Sequence, residues 1–279
     1  MNISGAARLA GVMGWPMAHS RSPRLHGYWL ERHAIDGAYL PLAVRPENLR
    51  AALEAMPLLG FAGCNLTIPH KEAALRIVAE VMPLAARIGA INTVIVKPDG
   101  SLRGDNTDAF GFLENLRDQV PNLNLAAGSA VVLGAGGASR AICAGLLEAG
   151  VTEIKLLNRS LERAEKMAVD LGPQLRPAPW SQRNAILGEA TLLVNTTSLG
   201  MVGQPALDLD LSLLPESAVV NDLVYSPLIT ALLSAARARG NIIVDGLGML
   251  LHQARPGFTA WFGTEPTVTD ELRDFVAGT

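Results

Sequence analysis

The chain has 279 residues, of which 49% are hydrophobic, and a formal net charge of -3. An apolar share of this size supports a packed core and excludes a disordered chain. The lack of a basic surplus argues against nucleic acid or an anionic membrane as a partner. The apolar runs are also broken well before the ~20 residues that a membrane span needs.

In the first part of the chain, short apolar runs alternate with longer amphipathic ones, a pattern typical of α/β proteins. The predicted elements are a strand at 9–13, a helix from 22, a strand at 38–44, a helix at 46–58, a strand at 63–66, a helix start at 69–71, and a hairpin of 92–97 with 101–103. Ser22 is predicted to cap its helix, with Pro23 at the first helical position. Pro98-Asp99-Gly100 is a strong hairpin turn.

The second part of the chain has a clearer pattern. The predicted elements are a buried strand at 130–133, a glycine turn at 134–137, a helix at 138–149 closed by Gly150, and strands at 153–157, 192–195, 218–222 and 242–245. Five parallel strands with helices between them predict a doubly wound sheet. Helices at 249–261 and 268–277 follow, and Arg255-Pro256-Gly257 indicates a kink in or beside the first of them.

The glycine turn has the spacing GxGxxS between a strand and a helix. Gly134 permits a tight turn, Gly136 lets the backbone approach a pyrophosphate, and the small Ser139 lets the helix pack on the strand. The helix N-terminus then presents free N–H groups to phosphates. An ordinary structural turn is the alternative, and the strand–turn–helix context favours dinucleotide binding.

The tip of the next strand indicates which dinucleotide is bound. An NAD site usually carries an acidic residue there for the ribose 2′-hydroxyl, but this chain has Asn158-Arg159-Ser160 followed by Arg163. Two guanidinium groups suit a 2′-phosphate in both geometry and charge. The sequence therefore favours NADP, with two solvated arginines at a helix start as the alternative.

Four polar clusters outside the glycine turn follow or begin predicted strands: Ser20-Arg21-Ser22, 65–71, Asn92-Thr93 and 105–108. Ligands collect at loops after strand carboxyl ends in α/β sheets. Taken singly, each cluster has a structural explanation, such as a helix cap for Ser22 or Asp108 and an exposed lysine for Lys71.

Taken together, these clusters resemble the shikimate dehydrogenase family over nearly the whole chain. The resemblance is carried by GWPMAHSRSP at 14–23, NLTIPHK at 65–71, GAINT at 89–93, NTD at 106–108, the glycine turn, NRS at 158–160, NTTSLGM at 195–201, DLVYSP at 222–227 and GLGMLLHQ at 246–253. The order and spacing of this set are highly specific.

The resemblance implies a role for each matching residue. The substrate-binding set would be Ser20, Ser22 and Tyr225 on the carboxylate, Thr67, Asn92 and Gln253 on the ring hydroxyls, and Asn65, Lys71 and Asp108 beside them. Gly134, Ala135, Gly136, Gly137 and Ala138 would hold the pyrophosphate, and Asn158, Arg159, Ser160 and Arg163 the adenosine 2′-phosphate. Thr196, Leu223 and Gly246 would line the nicotinamide side, although the family usually carries methionine where Leu223 stands.

Lys71 and Asp108 would form the catalytic pair. Reduction of a ketone needs a proton donor on the carbonyl oxygen, while the cofactor carries the hydride. Lys71 can donate as an ammonium, and a neighbouring Asp108 carboxylate would keep it oriented and charged.

The expected architecture is α/β with two domains. Residues 1–107 and 246–279 would form an N-terminal α/β substrate-binding catalytic domain, and 108–245 an inserted Rossmann-like NADP-binding domain, with the active site in the cleft between. The implied reaction is the reversible reduction of 3-dehydroshikimate to shikimate by NADPH in aromatic amino acid biosynthesis. A quinate or dual-specificity dehydrogenase and a non-catalytic NADP-sensing module are the alternatives. The paired serines favour shikimate, and Lys71 with Asp108 favours an enzyme.

No metal site is predicted, because the five histidines show neither HExxH nor another compact ligand spacing. His26 and His33 are expected at the surface, and His70 at a helix start rather than as a base. Cys64 and Cys143 have no CxxC partner, which predicts two reduced, buried thiols in a cytoplasmic protein. Residues 1–10 lack a basic start followed by a long apolar stretch, so no signal peptide is expected. The sequence does not determine the oligomeric state, and a homodimer is one possibility.

Overall fold

The computed structural model describes residues 3–18 and 20–278. The chain forms two compact units, one of Met1–Thr107 with Gln253–Thr279 and one of Asp108–His252. His19, one of the histidines without ligand spacing, lies outside the described residues.

The first unit contains a six-stranded mixed sheet in the order β2-β1-β3-β5-β6-β4. Its strands are β1 Arg8–Gly14, β2 Gly37–Ala43, β3 Phe61–Leu66, β4 Glu80–Val81, β5 Thr93–Val96 and β6 Leu102–Asp105. Its helices are α1 Ser22–Arg32, α2 Leu49–Ala55 and α3 Pro83–Ile88. Met13, Leu66 and Val94 from three adjacent strands pack with Leu49 and Leu53 of α2 in the core.

The strand directions of this sheet bring the polar clusters to one edge. β1 and β3 are parallel, whereas β5 is antiparallel to both β3 and β6. Thr93, the first residue of β5, is therefore paired with Asn65 near the end of β3 and with Asp105 at the end of β6. Three separate segments, around Asn65, Thr93 and Asp105, thus have their polar residues side by side.

The second unit contains a six-stranded parallel sheet in the order β12-β11-β10-β7-β8-β9. Its strands are β7 Ser129–Leu133, β8 Glu153–Asn158, β9 Leu175–Pro179, β10 Ala190–Asn195, β11 Val219–Asp222 and β12 Ile242–Val244. Its helices are α4 Asp108–Gln119, α5 Gly137–Glu148, α6 Leu161–Leu171 and α7 Ala231–Ala238. The strand order is that of a Rossmann fold, with the reversal between β7 and β10. This confirms the predicted α/β class.

Two helices close the chain. The helix α8, Gly246–Phe262, contains the residue boundary between the units, and α9, Asp270–Ala277, belongs to the first unit. Pro256 lies inside α8, and the helix continues to Phe262. Among the described residues, no helix is long and apolar enough to cross a membrane.

Several sequence predictions of local structure are wrong. The second sheet has a sixth strand, β9, whose Pro177 and Pro179 obscure it in the sequence but are tolerated on an edge strand. The predicted helix at 46–58 is a 3-10 turn followed by the short α2. Residues 69–71 form a turn, and a 3-10 helix begins only at Ala73.

Two predictions about side chains in α1 are also wrong. Ser22 is the first helical residue rather than the cap, because the cap position belongs to Arg21, which makes no side-chain capping bond. His26 is fully buried rather than on the surface, because it packs among Trp29, Tyr39 and Phe258. His33 is exposed as expected, and both cysteines are buried free thiols as expected.

Candidate active site

Asn92 lies at the centre of the polar end of the first sheet, where β3 and β6 end and β5 begins. Its side chain is buried, and its Oδ1 accepts hydrogen bonds from Thr93 Oγ1 at 2.9 Å and from Thr107 N and Oγ1 at 2.9 and 3.2 Å. Its Nδ2 lies 3.4 Å from Gln253 Oε1. Because the oxygen is fully committed, the amide plane is fixed and the nitrogen side is the one directed at Gln253.

Asn65 has both ends of its amide bonded within the protein. Tyr39 Oη donates to Asn65 Oδ1 at 2.5 Å. Asn65 Nδ2 donates to Asn92 O at 3.1 Å and to Thr93 Oγ1 at 3.2 Å. Its two ends therefore hold neighbouring strands, and through them Asn65 supports Asn92.

Tyr39 is a site residue that the sequence analysis missed. It lies on β2, is 6% exposed, and joins Asn65 to the start of α1, where Ser22 lies against its hydroxyl. Burial raises the pKa of Tyr39 well above its usual value, and the nearby Ser22 opposes this shift only in part. The available signal was a tyrosine within an apolar strand, since a buried tyrosine hydroxyl needs a partner.

His26 forms the wall behind Tyr39. The two rings stack with centroids 3.8 Å apart and planes 5° apart. Burial lowers the pKa of His26 to about 3, and the nearby Asn65 side chain opposes the shift without a well-aligned hydrogen bond to either ring nitrogen. The ring is therefore neutral at physiological pH and acts as an aromatic packing group.

The turn after β3 is held by backbone bonds at both ends. Thr67 N donates to Met13 O at 2.9 Å, and Ile91 N donates to Lys71 O at 2.8 Å. Thr67 and Lys71 are each partly exposed. The turn thus presents both side chains from a fixed backbone beside Asn92.

The serine segment lies between β1 and α1. Ser20 and Ser22 are both partly exposed, and Ser22 N lies 3.4 Å from Ser20 Oγ. The Ser20 hydroxyl therefore lies beside the backbone of Ser22 at the start of α1, where Ser22 is the first helical residue and not the cap.

His70, next to Lys71, is structural. Its ring is 1% exposed, and Nε2 lies 2.8 Å from Val44 O. Because a carbonyl oxygen can only accept, the Nε2 nitrogen carries a proton and donates it. This hydrogen bond and the burial of the ring make His70 a residue that holds the turn against the end of β2.

The glycine turn of the second unit lies at the reversal of the strand order. Gly134 has φ 107°, and a Cβ there would stand 2.7 Å from Thr196 Oγ1. A Cβ on Gly136 or Gly137 would instead project into open space, and no side chain caps the N-terminus of α5. Ser139 is fully buried and donates to Gly134 O at 2.6 Å. The turn is therefore closed on the side of Gly134, where Thr196 and Ser139 pack against it, and open on the side of Gly136 and Gly137, where backbone N–H groups can bind an anion.

The tip of β8 supports this turn and presents two cations. Asn158 Oδ1 accepts from Ala135 N at 3.2 Å, and Asn158 Nδ2 donates to Ser160 O at 2.9 Å. Arg159 and Arg163 are exposed, and neither forms an ion pair within the described parts of the chain. Both guanidinium groups are therefore accessible to an anionic ligand.

The remaining predicted residues follow β10, β11 and β12. Thr196 N and Oγ1 both donate to Leu133 O, at 2.9 and 2.7 Å, and Leu223 N donates to Asn195 O at 2.9 Å. A Cβ on Gly246 would stand 2.2 Å from Leu223 O, so only glycine permits this approach. These backbone contacts gather Thr196, Leu223 and Gly246 at the carboxyl edge of the sheet.

Asp108 and Tyr225 are the two predicted substrate residues of the second unit. Asp108 is the first residue of α4 and is 9% exposed, whereas Tyr225 is partly exposed in the segment between β11 and α7. Lys71, the predicted partner of Asp108, belongs to the first unit.

The comparisons with known proteins agree with one another. Family models for the shikimate dehydrogenase substrate binding domain and for shikimate / quinate 5-dehydrogenase match residues 12–94 and 115–201. The chain is 61% identical to shikimate dehydrogenase (NADP(+)) of Paramagnetospirillum magneticum, over 98% of this chain and 99% of that protein. It is 59% identical to the Rhodospirillum rubrum protein of the same name, over 99% of both chains.

Solved structures extend the likeness. The shikimate 5-dehydrogenase of Thermus thermophilus, in complex with NADP(H) and shikimate, is 39% identical with a TM-score of 0.84, over 97% of this chain and 98% of that chain. Quinate dehydrogenase of Corynebacterium glutamicum, in complex with NAD, is 31% identical with a TM-score of 0.91, over 98% and 99%. The identity over the full length of these relatives establishes that the chain belongs to the shikimate dehydrogenase family.

Proposed function

We propose that this chain is an NADP-dependent shikimate dehydrogenase, an oxidoreductase that reversibly reduces 3-dehydroshikimate to shikimate with NADPH in aromatic amino acid biosynthesis. The observation that carries the proposal is the 61% identity over 98% of the chain to a relative named for this activity and this cofactor. The geometry of each unit supports it independently.

The edge of the first sheet suits a small polyhydroxylated ring. Asn92, with its oxygen committed to the protein, would direct its nitrogen at a ring hydroxyl, together with Gln253 and the adjacent Thr67. Ser20 and Ser22, with Tyr225 of the second unit, would supply hydroxyls for the carboxylate. Asn65 would act mainly by holding Asn92 in place.

The second unit fits a dinucleotide with a 2′-phosphate. The open side of the glycine turn leaves room for a pyrophosphate, which the uncapped N-terminus of α5 would stabilise. Arg159 and Arg163 are free to bind the 2′-phosphate, and Asn158 and Ser160 support the tip that carries them. Thr196, Leu223 and Gly246 would line the nicotinamide side.

The chemistry then requires one proton and one hydride. NADPH, when bound, supplies the hydride to the carbonyl carbon. Lys71 would donate the proton to the carbonyl oxygen, and in the reverse direction would take it from the hydroxyl. Asp108 would hold the ammonium of Lys71 in its charged form. His70, buried and bonded to Val44 O, would hold the turn from which Lys71 acts.

A dual quinate/shikimate dehydrogenase is the second candidate, favoured by the likeness to a quinate dehydrogenase with a TM-score of 0.91. Steady-state assays with shikimate and quinate, each with NADP⁺ and NAD⁺, separate the candidates. We expect a clear preference in kcat/KM for shikimate with NADP⁺. Equal values for the two acids would support dual specificity, and no turnover with either acid would support a non-catalytic NADP-sensing module.

A division of the chain into two functional parts also belongs to the proposal. The substrate-binding and catalytic part would comprise 1–107 with 246–279, and the NADP-binding part 108–245. A cytoplasmic location and a homodimeric state stay predictions.

A further inference from the structure

Asp222, the last residue of β11, has no part in the roles assigned above. It is fully buried, yet its carboxylate lies where the segment after β10 meets the segment after β11. A buried carboxylate is costly unless polar groups surround it, so its contacts indicate what it does.

Three groups donate hydrogen bonds to this carboxylate. Its Oδ1 accepts from Asn195 Nδ2 at 2.9 Å and from Val224 N at 3.0 Å, and its Oδ2 accepts from Thr230 Oγ1 at 2.7 Å. Burial raises the pKa of Asp222, and the three donors oppose this shift. No cation is among these partners, so the negative charge is met by oriented dipoles alone.

Asn195 carries the constraint into the segment after β10. Its Nδ2 also donates to Leu199 O at 3.2 Å, and its Oδ1 accepts from Thr197 N at 3.1 Å and Thr197 Oγ1 at 2.7 Å. Thr197 Oγ1 in turn accepts from Leu199 N at 3.1 Å. The backbone on both sides of Thr196 is therefore fixed through one asparagine that Asp222 orients.

Thr230 carries the constraint to the far end of the other segment. It is 1% exposed and is the cap of α7, accepting from Leu233 N at 3.3 Å while donating to Asp222. Residues 223–229, which include Leu223 and Tyr225, thus run from Asp222 itself to a threonine that its carboxylate holds. Leu223 N also donates to Asn195 O at 2.9 Å, which ties the two segments together directly.

We propose that Asp222 is a positioning residue that holds both segments in the arrangement which receives the nicotinamide end of the cofactor. This inference rests on the proposed NADP-dependent function. Asp222 is fully buried, so it would act through Asn195, Val224 and Thr230 rather than by touching the cofactor.

The variant Asp222→Asn isolates the carboxylate with little change in volume. An amide has one accepting end, so it cannot accept from Asn195, Val224 and Thr230 together. The Thr230 hydroxyl would have to turn and accept from the amide nitrogen, and the bonds from Asn195 and Val224 would lose their charge assistance, so both segments are held more weakly. The adenosine end depends instead on the tip of β8 and should be insensitive.

The test measures two Kd values by calorimetry, for NADP⁺ and for adenosine 2′,5′-bisphosphate, which carries the adenosine end without nicotinamide. We expect Asp222→Asn to weaken NADP⁺ binding about tenfold or more, as for a lost charge-assisted hydrogen bond. Binding of the bisphosphate should stay within about twofold. Equal weakening of both ligands, or of neither, would overturn the proposal.

Two further variants keep the test decisive. Asn221→Ala removes the neighbouring buried side chain, whose Nδ2 bonds to Val244 O at 3.1 Å on β12 and not to either segment. It should lower Tm and leave both Kd values unchanged. Thr230→Val removes one donor to the carboxylate. It should weaken NADP⁺ binding and leave bisphosphate binding unchanged, with a smaller effect than that of Asp222→Asn. If Asp222→Asn does not fold, the Thr230→Val result decides.

The proposed function is tested separately by the parent protein. If the parent fails to oxidise shikimate with NADP⁺, the proposed function fails whatever the variants do. If it succeeds and the Asp222→Asn Kd values match the parent's, only the positioning role fails.

Discussion

At the sheet edge of the first unit, Asn65 and Asn92 are 6% and 3% exposed and their amides are already hydrogen-bonded within the protein. At the strand tip of the second unit, Arg159 and Arg163 are exposed and form no ion pair among the described residues. One region is thus organised before its proposed ligand arrives, whereas the other relies on groups that the ligand itself must organise.

The difference follows from what each region is proposed to bind. Ring hydroxyls carry no net charge, so they are recognised by the direction of hydrogen bonds, and a misplaced group leaves a buried partner unpaired. A 2′-phosphate attracts a guanidinium over several ångströms and accepts from it in a planar fork. Changes in the first region should therefore alter geometry and stability, and changes at the arginines should alter phosphate affinity alone.

The largest effect is expected at Lys71, on the turn of the first region. Removing a general acid–base group lowers rates by about 10²–10⁴-fold, so Lys71→Ala should lower kcat by that factor. Shikimate, held by hydroxyl and amide groups, should still bind. Steady-state kcat and a separate shikimate Kd measure the two effects.

The control is Lys97→Ala, which removes a lysine of the same unit from an ion pair with Glu80 and should leave kcat unchanged. Asp108→Asn should also lower kcat. The kcat of the double variant should be little lower still, because the effects of substituting two residues that act together are not additive. A folded Lys71→Ala protein with near-parental kcat would remove Lys71 from the mechanism.

The second effect tests the exposed region. Arg159→Ala should raise KM for NADP⁺ about tenfold to a hundredfold, as expected for one charge-assisted phosphate contact, and barely change KM for NAD⁺. Arg176→Ala is the matched control, since Arg176 is an exposed arginine on the same sheet but on β9. Equal weakening of the two cofactors would mean that Arg159 is structural.

The residues behind these two predictions are readable in the sequence. Lys71 and Arg159 follow strand ends, and the strands themselves are apolar runs between glycine-rich turns. The parallel β7, β8, β10, β11 and β12 could be predicted for that reason. The edge strand β9 could not, because two prolines in five residues contradict the strand pattern that an interior position would demand.

The supporting residues of the first region were not readable in this way. Tyr39 and His26 have no motif, and a histidine on a helix reads as a surface residue. Only the packing of α1 on β2 shows that His26 stacks on Tyr39 and that Tyr39 donates to Asn65. The burial of a polar ring depends on contacts from distant segments, which the local pattern does not contain. The next two predictions test these residues.

The third effect concerns Tyr39. Tyr39→Phe removes the donor to Asn65 Oδ1 and leaves a buried acceptor unpaired, which should lower the free energy of unfolding by about 1–3 kcal/mol. KM for shikimate should rise while KM for NADP⁺ stays constant, because Asn65 supports Asn92. Denaturant unfolding and steady-state kinetics measure these. Tyr28→Phe is the control, because Tyr28 is a partly exposed tyrosine of α1 that packs on Phe275 and has no bond to Asn65. Unchanged stability would show that Asn65 does not depend on Tyr39.

The smallest effect concerns His26 and appears only on acidification. The pKa of His26 is about 3 in the folded protein, against 6.5 for an ordinary histidine. Below pH 6.5 the unfolded chain therefore binds a proton that the folded protein excludes. The free energy of unfolding is unaffected by the titration of His26 above that pH, and it decreases progressively as the pH falls towards 3.

His26→Phe keeps an aromatic ring against Tyr39, Trp29 and Phe258 and removes the titrating nitrogens. Between pH 7.5 and pH 5.5 the parent should lose about 1.4 kcal/mol more unfolding free energy than His26→Phe. Denaturant unfolding at several pH values measures the slope, and His33→Phe, at an exposed position just after the same helix, should keep the parental slope. Parallel slopes for the parent and His26→Phe would mean that the buried ring takes up its proton in the folded state. Tyr39 would then stack on an imidazolium, and water would reach this part of the first unit more easily than its contacts indicate.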